Sequence, residues 1–275
     1  MARNKFTRSI LLWLALLPII VVILFPFAVM TLTAFKGPSE VHDPTWWPSA
    51  WRWENFPEMW VTSGFGRALT NSLMVSGLTT LCSIAFAVPA AYALSRFRFA
   101  GDGAFRQFLL VSQMLSPIVL VLGLFRLTSQ LGLIDNEFTL VLIYTGFNIA
   151  FGVWMLQSYF STIPRELEEA AWMEGANRWR TLMSVFLPLA TPAMVVTAVF
   201  TFINSWNEFV IALTMLRRED NYTLPLRVFS LVAGRYTVDW QYVMAAALVA
   251  SIPVAILFSW LQRYLVRGLA LGAVK

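Results

Sequence analysis

The apolar positions of this 275-residue chain fall into long unbroken runs, not into the short alternations of strands or the narrow stripes of surface helices. A helix that crosses a bilayer needs about 20 mostly apolar residues. Six runs reach that length, at about 10–34, 69–95, 107–125, 138–160, 189–216 and 242–265. Short polar connections separate them, apart from an outer segment at 35–68 and a charged loop at 161–187, between the fourth and fifth runs. The pattern predicts an all-α membrane protein with six transmembrane helices in one domain over residues 1–275. Arg3, Lys5 and Arg8 precede the first run, as in a signal peptide. That run is longer than the roughly 7–15 residues of a signal core and no small-residue cleavage site follows it, so it reads as a retained span.

Composition agrees with this class. The chain is 58% hydrophobic and 13% charged, against about 45–50% and about 25% in soluble proteins. No polar stretch is long enough for a separate soluble domain. A lone cysteine, Cys82, excludes an intrachain disulfide and reads as a small buried hydrophobe. A lone histidine, His42, leaves a zinc site without ligands. Asn221-Tyr222-Thr223 fits the glycosylation triplet, a short and common pattern.

Lys and Arg set the orientation of a membrane chain. With the N-terminus inside, inner segments hold twelve of them (Arg3, Lys5, Arg8, Arg96, Arg98, Arg106, Arg165, Arg178, Arg180, Arg263, Arg267, Lys275). Outer segments hold eight (Lys36, Arg52, Arg67, Arg126, Arg217, Arg218, Arg227, Arg235). Both termini and the 161–187 loop are therefore expected in the cytoplasm. Segment 35–68 is then external, and its Trp46, Trp47, Trp51, Trp53 and Trp60 read as an aromatic belt in preference to a sugar-stacking platform. Small residues spaced by four, Ala87 with Ala91 and Ala247, Ser251, Ala255, suit close helix packing in lipid.

The loop is the unusual element. Seven charged side chains, four Glu and three Arg, occupy Arg165–Arg180. Proline is absent from 165 to 186, and Trp172, Ala176, Trp179, Met183 and Phe186 follow 4-3-4-3 spacing, which predicts one amphipathic helix with an apolar stripe. Gly175 permits a bend or close approach in its middle. Pro188 is expected to begin the fifth span as a new helix behind a proline corner. Such a helix could lie in the headgroup interface, pack laterally within the protein, or dock a soluble partner.

Glu169-Ala170-Ala171, Gly175 and Val185-x-Leu187-Pro188 resemble the EAA loop of permease subunits in ATP-binding-cassette (ABC) importers, whose pattern has Ile where Val185 stands. Four further segments resemble the carbohydrate branch, typified by the maltose permease MalG: YALSRFRFAG (92–101), LGLIDN (131–136), SWNEF (205–209) and RGLALGAVK (267–275). The resemblance implies the type I ABC importer permease fold, with a cytoplasmic coupling helix between spans 4 and 5. It also implies that Glu169, Ala170, Ala171, Gly175, Leu187 and Pro188 serve contact with an ATPase subunit. Glu169 would supply charge, the alanines close packing and Gly175 the turn. The chain has no phosphate-binding loop of its own. The implied protein is therefore non-catalytic, with ATP and Mg on a partner. Implied partners are a second permease subunit in a heterodimer, two copies of the ATPase, an external solute-binding protein and membrane lipid, with no nucleic acid. The solute would be a sugar or sugar-like molecule, and the site the bacterial inner membrane.

The fifth run also carries Thr197, Thr201, Asn204 and Glu208 at 4, 3, 4 spacing, with Ser205 and Asn207 beside them. Glu208 is the acidic residue set well inside a run, and an intramembrane carboxylate is functional or paired by default. Counting back from residue 216 at about 1.5 Å per residue sets it roughly 12 Å inside the outer end. Thr201, Asn204, Asn207 and Glu208, with Asn148 and Gln113 on neighbouring runs, are candidates to line a solute path; bonding to neighbouring helices is the competing role. A proton- or ion-coupled carrier would rest on Glu208 alone, and a purely structural subunit would need no coupling loop.

Overall fold

The computed structural model describes residues 2–233 and 237–272, with side chains over 12–233 and 237–262. Arg235 and Lys275 lie outside the described residues, as do the side chains of Arg3, Lys5, Arg8, Arg263, Arg267 and the 267–275 tail.

Twelve α-helices follow in order among the described residues: α1 (Ala2–Ala34), α2 (Asn55–Thr62), α3 (Phe65–Arg96), α4 (Asp102–Met114), α5 (Pro117–Gln130), α6 (Glu137–Phe160), α7 (Arg165–Met173), α8 (Arg178–Thr181), α9 (Leu187–Trp206), α10 (Val210–Met215), α11 (Leu224–Ser230) and α12 (Trp240–Gly272). Among the described residues, five stretches are long and apolar enough to span a membrane: Leu12–Ala34, Phe65–Arg96, Glu137–Phe160, Arg178–Trp206 and Trp240–Gln262. A bent pair, α4 and α5, which meet at 94°, passes the same test when its two helices are taken together, and counts as a sixth where the pair forms one broken span.

The bend corrects the expectation of a straight third span at 107–125. Leu115 and Ser116 are both extended, at φ −75, ψ 116 and φ −69, ψ 133. Pro117 drives the residue before it out of the helical region and then starts α5 from a position where its missing N–H costs nothing. The fifth span differs at both ends from the expected 189–216. It begins at Arg178, passes through a π-helical turn at Leu182–Phe186, and stops at Trp206. No proline corner forms at Pro188. Its absent N–H and the clash with the carbonyl four residues back are absorbed by the wider π turn, and the helix continues.

The chain divides into two compact units, 1–66 with 227–252 and 67–226 with 253–275. In the first, α1 exposes its apolar side chains over 12–27, as a helix surrounded by lipid does. The amide of Asn55 closes the end of α1 by donating to the Ala34 and Lys36 carbonyls at 2.8 and 2.9 Å. Trp46, Trp47, Trp51, Trp53 and Trp60 are all exposed. Ala247 and Ser251 of α12 are half-buried and Ala255 is exposed, so among the described side chains of that helix the buried small residues are instead Ala245 and Ala246.

The second unit is built around α6, which packs against α9 and α4. One core cluster joins Ala87, Tyr92, Leu156, Phe160, Leu182 and Phe186 at the α7 end. Another joins Val75, Leu140, Tyr144, Ile211 and Met215 at the opposite end. Between them a Cβ added to Gly152 would come within 3.0 Å of the Ala87 Cβ and 3.6 Å of Thr197 Cγ2. The glycine thus lets three helices meet with backbones close together. At the α5–α6 turn, Asp135 adopts φ 62, a left-handed conformation that Asp tolerates. Its carboxylate accepts backbone N–H groups from Arg217 at 2.9 Å and Arg218 at 3.0 Å, and the Arg218 Nε at 2.6 Å. The Asn221 amide donates to the Asp135 carbonyl at 2.8 Å, which ties the turn to the segment after α10.

Candidate functional site

Both helix breaks of the second unit open onto one cavity of about 270 Å³. The α4–α5 elbow contributes Ser112, Gln113, Leu115 and Pro117; α6 contributes Tyr144, Phe147, Asn148 and Phe151. Asn204, Ser205, Glu208 and Ile211 complete it from either side of the α9–α10 break. Irregular backbone at membrane depth is stable where protein or a polar cavity takes up its free N–H and C=O groups, so breaks and cavity belong together.

Glu208 makes this concrete. It lies beyond the end of α9, not on a continuous helix as the spacing predicts. Its carboxylate receives the N–H of Ile211 at 2.9 Å and of Ala212 at 3.2 Å, capping the short α10. The Tyr144 hydroxyl donates to it at 2.6 Å. Four of the six sequence candidates, Gln113, Asn148, Asn204 and Glu208, therefore share one cavity. The other two do not. Thr201 is fully buried, and Asn207 is exposed outside the lining. Thr197 is likewise fully buried and donates to the Ala193 carbonyl at 2.8 Å. The predicted stripe thus divides, because the helix ends before Glu208 and two of its threonines face the packed core. Asn148 has spent one donor on the Tyr144 carbonyl at 2.8 Å. Gln113 and Asn204 keep exposed amides without a hydrogen-bond partner among the described residues.

The charged loop is not one helix. α7 stops at Met173, where the Ala176 N–H reaches the Ala171 carbonyl and the Gly175 N–H the Trp172 carbonyl, both at 2.9 Å. This pair of bonds is a Schellman turn, and it needs a left-handed residue, which Gly175 supplies at φ +83. No atom would meet a Cβ on Gly175 within 4 Å, so the glycine serves the turn and not a close approach within this chain. Asn177 then caps α8, accepting the Arg180 N–H at 2.8 Å. The expected stripe is cut by this turn: Trp179 is 61% exposed and Phe186 is 0% exposed. Glu169 and Ala170 are exposed, Ala171 and Leu187 half-buried, and Pro188 exposed.

Composition and spacing missed the residues beneath α7. Glu168 is buried, accepts the Tyr92 hydroxyl at 2.7 Å and lies 3.2 Å from the Arg96 Nε. Arg96 also donates to the Phe160 and Ile163 carbonyls at 3.3 and 2.7 Å. Its guanidinium stands 4.8 Å over the Phe186 ring. Nearby, Arg178 stands 4.4 Å over Phe97 and 5.4 Å over Trp172. A signal was available: Tyr92 and Arg96 are four apart and share one face at the end of a span.

The family model for the binding-protein-dependent transport system inner membrane component matches residues 83–271, more than half of the chain and inclusive of the cavity and α7. The chain belongs to this family. It is a non-catalytic permease subunit of an ABC importer and a multi-pass inner-membrane protein; ATP hydrolysis belongs to a separate subunit. The permease is 35% identical over 280 residues to the inner membrane ABC transporter permease protein YcjP of Escherichia coli, with 100% of each chain covered. It is 33% identical to the trehalose/maltose transport system permease protein MalG of Thermococcus litoralis, covering 99% of each. A chain in the crystal structure of a bacterial ABC transporter involved in the import of the acidic polysaccharide alginate superposes with TM-score 0.79 at 25% identity, covering 96% of the permease and 98% of that chain. The type I ABC importer permease fold expected from the EAA loop, and the carbohydrate branch expected from the four further segments, are thereby shown.

Proposed function

We propose that this permease forms half of the translocation pathway for a sugar or sugar-like solute and is driven through α7 by a cytoplasmic ATPase. The observation that carries the reading is α7 itself. It is a short helix with Glu169 and Ala170 exposed, closed by a left-handed glycine and set between two membrane spans. That form suits a helix held out for a partner better than one lying flat in lipid. The solute class follows the named relatives, which include permeases for trehalose/maltose and for diacetylchitobiose.

In this reading both termini and α7 are cytoplasmic. A second permease completes the path, two ATPase copies bind ATP and Mg, and an external solute-binding protein delivers the solute. Glu169, Ala170, Ala171 and Gly175 contact the ATPase, with Leu187 and Pro188 at the root of the following span. Closure of the ATPases displaces α7 and shifts the spans between two states, so that ATP and solute bias one equilibrium. The cavity suits a hydroxyl-rich solute, with free amides at Gln113 and Asn204, the Glu208 carboxylate, and the Phe147 and Phe151 rings for its apolar faces.

The test is the full transporter carrying Glu169→Lys or Gly175→Leu. Both variants are expected to insert normally, lose ATPase on copurification and lose solute uptake. Normal assembly and uptake in both would overturn the docking reading. For the cavity, cysteines at 113 and 204 in a Cys82→Ala background are expected to react with a small hydrophilic thiol reagent in at least one nucleotide state, and one at 201 to stay inert. The reverse pattern would remove the path from this chain.

A further inference from the structure

Glu168 and Glu169 are adjacent in sequence and opposite in environment. Glu169 is exposed. Glu168 is the buried residue of α7, at 4% exposure, and its partner Arg96 has a side chain 5% exposed. A nine-residue helix is too short to be stable alone and depends on its attachment. Here the buried side chain that attaches it is ionic. Apolar contacts are non-directional and let a helix slide or roll. A buried carboxylate held by a guanidinium and a tyrosine hydroxyl has one satisfied arrangement, and any slip leaves a charge unpaired in a low-dielectric interior.

The same arginine reaches further. Its two bonds to the Phe160 and Ile163 carbonyls hold the C-terminus of α6 and the turn that follows it. Phe186, which runs on into α9, lies beneath the guanidinium and packs edge-on against Tyr92 at 4.9 Å and Phe160 at 5.5 Å. One cluster therefore gathers α7 and the ends of three membrane spans.

We infer that Glu168 is a positioning residue: through Arg96 and Tyr92 it makes a rigid joint between α7 and the α3, α6 and α9 spans, so that displacement of α7 moves the spans instead of α7 alone. The inference rests on the docking of α7 to the ATPase proposed above. Its division of labour is new: Glu169 engages the partner, and Glu168 turns that engagement into movement of the membrane helices. Replacing Glu168 should therefore separate ATP hydrolysis from transport, whereas replacing Glu169 should remove the ATPase.

The experiment uses the assembled transporter in liposomes. Glu168→Gln keeps the size of the side chain and removes its charge. It is expected to copurify with the ATPase, yet the solute moved per ATP hydrolysed should fall on the order of tenfold, the scale of a typical coupling energy. The charge-exchanged pair Glu168→Arg with Arg96→Glu should recover part of that ratio. Spin labels at the exposed positions 99 and 173, in a Cys82→Ala background, should show a broadened distance distribution in Glu168→Gln. This readout needs no ATPase. If Glu168→Gln fails to insert, Tyr92→Phe removes only the hydroxyl, and a smaller drop in the same ratio is expected. An unchanged transport-to-hydrolysis ratio with an unchanged label distance, in whichever of the two variants inserts, overturns the joint. Glu169→Lys separates the two readings, because it should abolish ATPase association with the 99–173 distance intact. Retained association there would sink docking and leave the joint to be judged by distance alone.

Discussion

Glu168 and Glu208 each accept a hydrogen bond from a tyrosine, at 2.7 Å from Tyr92 and 2.6 Å from Tyr144, and there the likeness ends. Glu168 is closed in by an arginine side chain and aromatic rings. Its charge is balanced by another full charge, and its side chain is 5% exposed. Glu208 is balanced by the backbone N–H groups that begin α10, and its remaining surface faces an open cavity. The first arrangement fixes geometry, since a buried counter-charge and a tyrosine hydroxyl hold the carboxylate from two sides. The second holds a negative charge in place while leaving room for a solute or water to meet it. A carboxylate in a membrane protein is thus not one kind of feature: its partners decide whether it is a fastening or a lining group.

The comparison breaks most visibly at Arg96. Arg96→Leu leaves Glu168 buried without its counter-charge, and a loss of about 3–5 kcal/mol in stability is expected. Thermal or denaturant unfolding of the detergent-purified transporter reads it. The double change Arg96→Leu with Glu168→Leu should recover most of that loss, because an apolar pair needs no counter-charge, while leaving coupling impaired. A double variant no more stable than Arg96→Leu would mean that the arginine acts chiefly through the two carbonyls it holds.

The tyrosines sharpen the contrast at a smaller scale. Tyr92→Phe takes a hydroxyl from a closed site, where a bond to a charged group contributes about 1.5–3 kcal/mol. Tyr144→Phe takes one from beside a cavity that water can enter, and a cost of about 1 kcal/mol or less is expected. The same unfolding measurement decides; equal costs would mean that the cavity is dry around Glu208. Glu208→Gln keeps one acceptor oxygen for the cap and is expected to cost about 1 kcal/mol. Uptake of a neutral sugar should survive it in part.

The smallest effect belongs to a third carboxylate, on the α5–α6 turn. Burial raises the pKa of Asp135, but the Arg217 and Arg218 N–H groups, the Arg218 guanidinium and the Asn221 amide outweigh it and hold the value down to about 2, from an ordinary 3.8. A depressed folded pKa means that the contribution is complete above the ordinary value and is lost as pH falls through 3.8 toward about 2. Melting temperature should therefore drop more between pH 5 and pH 2 in the parent than in Asp135→Asn. Equal slopes would show that the turn is indifferent to this charge.

Long apolar runs, the spaced EAA loop and the four flanking segments were enough to read the class, the family and the places of four spans from the sequence, while the third proved bent and the fifth shifted. Each is a local property: bilayer thickness sets the run length, and the loop motif is contiguous. Gly175 was legible as a bend for the same reason, since a left-handed turn depends on its own residue. What needed the tertiary structure was everything set by partners distant in the chain. Gln113, Asn148, Asn204 and Glu208 were each visible as polar groups in apolar runs, but only helix breaks at 115–116 and 207–209 bring them to one cavity, and Thr201 is buried in the core. Glu168 and Glu169 are the same residue type in the same helix, and no local rule separates them. One is buried because Arg96 and Tyr92, more than seventy positions earlier, stand beneath it. Hydrophobic length is written along the chain, whereas the pairing of buried charge is decided by which helices fold against each other.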